Sequence, residues 1–164
     1  MSRATPKATG ELAMNTVYKV TIAIALLTFA STSTAKVRAS YTRAGDWLTF
    51  DSSVLVPLTD RQATGVSFDL PASGKKVLTY SASCNAGGDV NAYIDLDIVV
   101  NGVVVAPTVG GEDSFCGSDA RNVRPSITLV IQGVEGPNTV KIVLKKHNGA
   151  TGVSLGASSL VIHD

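Results

Sequence analysis

Histidine is almost missing from this chain of 164 residues, with only His147 and His163 present. His163 is the penultimate residue and His147 abuts an Asn-Gly pair, so neither reads as a general base. Gly-x-Ser-x-Gly occurs once, as GVSLG at residues 152–156, but inside a period-two stretch rather than at the strand-to-helix turn a nucleophile needs. His-Glu-x-x-His and a phosphate-cradling glycine loop are absent, which removes the usual signatures of zinc-dependent and nucleotide-dependent enzymes. The EF-hand spacing fails as well. Aromatic residues make up 5% of the chain and tryptophan occurs once, at Trp47. No basic stripe interrupts the near-neutral charge of +1, so nucleic acid and anionic membrane are poor partners. Paired carboxylates alone leave a glycoside hydrolase as a minor alternative, because nothing marks one of them as the proton donor.

Long apolar runs are scarce too. The one at the N-terminus, VTIAIALLTFA at residues 20–30, is eleven residues long, where a bilayer-spanning helix needs about 20. Lys19 precedes it and STSTA follows, the layout of a secretory signal. We expect cleavage after Ala35, with Met14 a candidate true start that leaves the compact basic leader MNTVYK. Residues 1–35 are then a signal peptide and residues 36–164 a single domain. Losing Arg3, Lys7, Lys19 and Glu11 leaves 11 basic and 12 acidic residues, a net charge of −1. The expected location is secreted, periplasmic or at the cell surface, with no membrane span in the mature form.

Only two cysteines occur, Cys84 and Cys116. An even count in an exported chain reads as a disulfide, and their spacing matches no zinc pattern.

What the sequence has in quantity after residue 36 is alternation with period two, broken by Gly, Pro, Asn and Asp. Val66, Phe68 and Leu70 share one face. So do Leu78, Tyr80, Ala82 and Cys84, then Ala92 to Val100 in steps of two, then Val140, Ile142 and Leu144. These are half-buried antiparallel strands. The pattern predicts strands at 46–51, 54–58, 64–70, 75–84, 91–100, 103–106, 126–133, 139–147 and 152–162. A bulge is expected near Gly156–Ser159, where the apolar parity switches. Asn101-Gly102 and Asn148-Gly149 suit type I′ turns, and Gly136-Pro137-Asn138 predicts a hairpin between residues 126–133 and 139–146. No strand is evident in KVRASYTRAGD. The predicted fold is all-β: an antiparallel β-sandwich of eight or nine short strands with one disulfide, and a jelly-roll rather than an immunoglobulin topology, since no tryptophan lies between the cysteines. Over residues 46–162 the layout resembles small secreted jelly-roll modules such as carbohydrate-binding modules or C1q-like domains.

Candidate chemistry centres on YIDLDIVVNG, residues 93–102. Alternation puts Tyr93, Asp95 and Asp97 on one outward face, the carboxylates about 6.5–7 Å apart along the strand. They are either a solvated strand face or half of a cation site completed by Glu112 and Asp113 in the loop 107–125, with Asp119 a further oxygen donor. Calcium, with its six to eight oxygen ligands, is the cation such a set would suit. No cofactor is required for folding at this length. A glycan or other surface ligand is expected at a patch of Tyr93, Asp95, Asp97, Asp113 and Phe115. The expected function is an exported, non-enzymatic binding module. The alternative is a structural or self-associating surface subunit, and outward Val99, Val130 and Val143 make a homo-oligomer a possible partner arrangement.

Overall fold

The structure is a computed structural model describing residues 35–105, 114–118 and 123–164. A compact unit runs from Ala35 to Asp164. The expected signal peptide, Glu112, Asp113 and Asp119 lie outside the described residues. Among the described residues no helix is long and apolar enough to cross a membrane.

Two antiparallel sheets form the sandwich. β1 (Val37–Arg43) and β2 (Trp47–Thr49) both pair with β11 (Gly152–His163), which pairs with β5 (Gly74–Gly87), which pairs with β9 (Ser126–Gly133). In the second sheet β3 (Ser53–Leu55) and β4 (Val66–Leu70) pair with β10 (Gly136–His147). β10 pairs with β6 (Tyr93–Val100), which takes β7 (Val103–Val104) and β8 (Cys116–Gly117) on its far edge. From β4 onward the chain passes repeatedly from one sheet to the other, the wrapping of a jelly-roll.

The alternation predicts the core well. Val66, Phe68, Leu70, Leu78, Tyr80, Ile94, Leu96, Ile98, Val140, Ile142 and Leu144 are all buried. Fixed parity follows from the two-residue period: one slipped position would turn every apolar side chain outward. The expected bulge is present as a register shift between Leu155 and Ser158.

Three features depart from expectation. KVRASYTR forms a real strand, β1, paired with β11 from Val37↔His163 to Arg43↔Ser158. Its polar alternation hid it, because an edge strand buries little on its outer side. Cys116–Gly117 adds a two-residue strand beside β6. Residues 126–133 and 139–146 do not form a hairpin, for β9 and β10 belong to different sheets.

Asn138 explains the last point. It is fully buried, and its Nδ2 donates to the carbonyls of Val134 (2.8 Å) and Gly136 (2.9 Å). Its Oδ1 accepts from Val134 N–H and Asn101 Nδ2. The side chain therefore satisfies backbone groups at a corner where no ladder can reach them. Asn101-Gly102, in contrast, joins two strands of one sheet, both residues having positive φ as a type I′ turn requires.

An ion-paired carboxylate closes the first sheet. Asp164 accepts from Arg38 Nε (2.9 Å) and Nη2 (2.6 Å) and pairs with Lys76 Nζ at 2.8 Å. The bonds from Arg38, then Lys76, hold its carboxyl down at about 2, against the ordinary 3.8. A depressed folded value means that its stabilisation is complete above the ordinary value and lost as pH falls from about 4 through about 2. An Asp164→Asn variant is expected to remove that portion of the acid limb. Carboxyl chemical shifts followed by NMR check the titration directly; a midpoint near 4 in the folded protein refutes it.

Candidate functional site

The first candidate face lies on β6 and β10. Their register sets Tyr93 against His147, Asp95 against Lys145 and Asp97 against Val143. Tyr93 and His147 stack, with ring centroids 4.8 Å apart and planes 12° from parallel. Lys145 reaches past its direct neighbour to the diagonal one: its Nζ lies 2.5 Å from Asp97 Oδ2. Such diagonal partners are within reach of a long side chain on an antiparallel pair.

Asp95 and Asp97 are not on a solvated face. They are 2% and 6% exposed. Asp95 Oδ1 accepts from the N–H of Leu96 at 2.8 Å. Burial above all raises its pKa, with the nearby Asp97 adding to the rise and the Leu96 N–H, His147 and Lys145 opposing it. Asp97 Oδ1 and His147 Nε2 are buried with no hydrogen-bond partner among the described residues. Like charges on alternate residues of a strand repel, and a cation beside them offsets the repulsion. Lys145 is the one the structure supplies.

Phe115 sits in the core at 5% exposure, its ring 5.9 Å from that of Tyr80. It lies next to the Cys84–Cys116 disulfide, which is formed. Of the expected ligand patch, then, Tyr93, Asp95 and Asp97 come together and Phe115 packs inside the sandwich. Among the described residues no group of three or more His, Cys, Asp or Glu is placed to hold a metal ion.

The second candidate lies on the outer face of the other sheet, and sequence reading did not single it out. β2 alternates so that Trp47 and Thr49 turn inward while Leu48 and then Phe50 turn out. Leu48 is 58% exposed and Phe50 70%. Across the strands, Leu48 registers with Ser154 and Ser154 with Asn85, while Gly152 registers with Gly87. These residues and Thr151 line a groove of about 260 Å³.

Its floor depends on glycine. A Cβ at Gly152 would stand 3.0 Å from Phe50 Cε1 and 3.2 Å from Cδ1, so the bare backbone lets the ring lie down over the strand. Lys146 Nζ donates to the carbonyls of Phe50 (2.5 Å) and Thr151 (3.0 Å), tying the aromatic segment to the β10–β11 turn. An aromatic ring over a floor of backbone, flanked by an amide and two hydroxyls, can take an apolar ring face and bond the hydroxyls around it. The signal was there in WLTF, where apolar residues occupy both parities of one short strand.

No family model matches the chain, and no curated protein matches it. Solved structures do. One is a family 35 carbohydrate-binding module from Clostridium thermocellum, 13% identical over 74% of this chain and 97% of that one, with a TM-score of 0.41. Another is the family 35 module from Paenibacillus barcinonensis, 18% identical over 74% and 97%, TM-score 0.40. A third is a carbohydrate-binding module of Cellvibrio mixtus lichenase 5A in complex with cellotriose, 13% identical over 79% and 98%, TM-score 0.38. Identity and TM-score are both low, and no residue of this chain takes a role from them.

Proposed function

We propose that this chain is an exported, non-enzymatic β-sandwich module that binds a glycan in the Phe50 groove. The observation that carries the reading is Phe50 itself: an aromatic ring 70% exposed, lying against Gly152 and edged by Asn85, Thr151 and Ser154. A large apolar side chain left in water gains little for folding, whereas it offers a ligand apolar contact area with only two side-chain torsions to fix. The signal-like leader and the disulfide support export.

Retention on insoluble polysaccharides, or affinity electrophoresis through soluble ones, tests this. Phe50→Ala is expected to weaken binding at least tenfold, in the range of an aromatic anchor. Its unfolding free energy should change by no more than a surface substitution does, about 0.5 kcal/mol. Gly152→Ala should weaken binding too, by pushing the ring off its floor. Retention unchanged in Phe50→Ala rules the groove out. Elution as an oligomer with no polysaccharide retained favours the structural reading instead, with exposed Val130 as the first contact to probe.

Calcium assistance is a second element of the reading, favoured by the unpartnered Asp97 Oδ1. A ligand that binds only the folded state at 100 times its dissociation constant adds about 2.7 kcal/mol. Melting with calcium is therefore expected to lie several degrees above melting with EDTA, and Asp97→Asn to abolish the difference. Coincident melts in the unmodified protein exclude a cation there.

A further inference from the structure

A cavity of about 250 Å³ opens beside the β11 bulge, and its polar lining is Arg43, Arg124, Thr42, Ser81, Ser158 and Ser159. Two of these are cations and the rest are hydroxyls able to donate. No carboxylate lines it among the described residues.

Arg43 is the unusual member. It is 2% exposed and takes part in none of the ion pairs formed among the described residues. Its Nη2 donates to the carbonyls of Leu155 (2.8 Å) and Gly156 (2.7 Å), and its Nη1 to that of Gly45. These bonds cap the bulge, where carbonyls lose their ladder partners. They satisfy donors and leave the charge unneutralised. Nε remains buried with no partner.

The Tyr80 hydroxyl is also buried and unpartnered. Burial pushes its pKa up to about 12, against the opposing effects of Ser158 and Arg43, so it stays a neutral donor. Ser158 approaches it without forming a hydrogen bond of normal geometry. Asp60 accepts from Ala44 N–H and Asp46 sits beside Ser83 and Gly156 in a separate pocket; neither is in an ion pair with Arg43. A guanidinium withdrawn from water without a counter-charge is costly. An anion in the adjoining cavity removes that penalty.

We infer that this cavity binds a small oxyanion, with Arg43 as the buried cation and Arg124 as the exposed one at its mouth. The inference is independent of the glycan reading, since the cavity shares no lining residue with the Phe50 groove.

The experiment titrates the full chain with sodium sulfate and with sodium acetate, against sodium chloride at matched ionic strength, and follows backbone amide shifts by NMR. Saturable shifts confined to residues 42–44, 81 and 157–159 are expected from at least one oxyanion. Sulfate alone identifies a tetrahedral group, acetate alone a carboxylate. Arg124→Gln, at an exposed position, is expected to weaken binding about tenfold, equivalent to ~1.4 kcal/mol. Ser158→Ala should weaken it further. Shifts that fail to saturate, that spread over all basic residues as screening does, or that survive Arg124→Gln unchanged overturn the inference. So does the absence of any shift, which leaves water as the partner of Arg43.

Discussion

Replacing Cys84 and Cys116 together by alanine is expected to lower the unfolding free energy by about 3–4 kcal/mol, the chain-entropy value for a loop of this length. The separation is 32 residues. For a domain of this size that is a fall in melting temperature of roughly 10–15 °C. Both sulfurs belong to buried residues, at 2% and 4% exposure. Alanine is therefore a cleaner test than serine, which adds a hydroxyl needing a partner. The bridge ties the C-terminal part of β5 in one sheet to β8 at the edge of the other. Other contacts hold the same region: Phe115 N–H bonds the Ile94 carbonyl at 2.8 Å, Ser118 N–H that of Ala92 at 2.9 Å, and Cys84 N–H that of Val123 at 2.9 Å. Those bonds survive the substitution, so the variant should still fold and keep the Phe50 groove. Calorimetry of the oxidised and double-alanine proteins decides it. A shift of only a degree or two assigns the clamping of β8 to these hydrogen bonds and to Phe115 rather than to the bridge.

Period-two alternation made the sandwich legible because a strand with one buried face must repeat every second residue. It therefore located Val66–Leu70, Leu78–Cys84, Ile94–Val100 and Val140–Leu144 with their correct faces. Alternation says nothing about which strands neighbour each other. The Gly136–Asn138 corner looks like a hairpin turn in sequence, and only the buried Asn138 reveals that the chain is changing sheets.

The same limit governs the sites. Parity put Asp95 and Asp97 outward, and they are opposite the core-facing Ile94, Leu96 and Ile98. Outward is not the same as solvated, and both aspartates are buried. Lys145 falls on the outward parity of its own strand; its diagonal reach to Asp97 depends on register, which alternation cannot supply. The Phe50 groove draws on three strands far apart in sequence, β2, β11 and β5. Of its members only Leu48 and Phe50 carried a local signal, as apolar residues on the wrong parity. Arg43 gave none, because a buried arginine and a surface one are the same letter.

The Asp97–Lys145 pair is where removing the cation alone should hurt far more than removing both partners. Lys145→Met keeps most of the side-chain stem that covers the strand and leaves the Asp97 carboxylate buried beside Asp95 without its cation. Breaking a fully buried pair in this way costs about 3–5 kcal/mol. Here the Lys145 side chain is 39% exposed against 8% for Asp97, so solvent screens part of the interaction and about 2–3 kcal/mol is expected. Asp97→Asn should cost less, about 1 kcal/mol, since a released lysine can swing into water. Combining the two should restore stability to within about 1 kcal/mol of the parent, a coupling that a double-mutant cycle reads directly. Asp95 should behave in the opposite sense. Its folded pKa is raised, chiefly by burial, so its contribution is most favourable below its ordinary value and diminishes as pH rises through the raised one. Asp95→Asn is accordingly expected to be neutral near pH 3 and stabilising at pH 7, because an amide oxygen can still accept from Leu96 N–H without carrying a charge. Denaturant melts of all four variants at the two pH values separate the roles. Equal losses from Lys145→Met and Asp97→Asn, with no recovery in the double variant, would mean that the two side chains act independently and that the buried carboxylates are held by something other than Lys145.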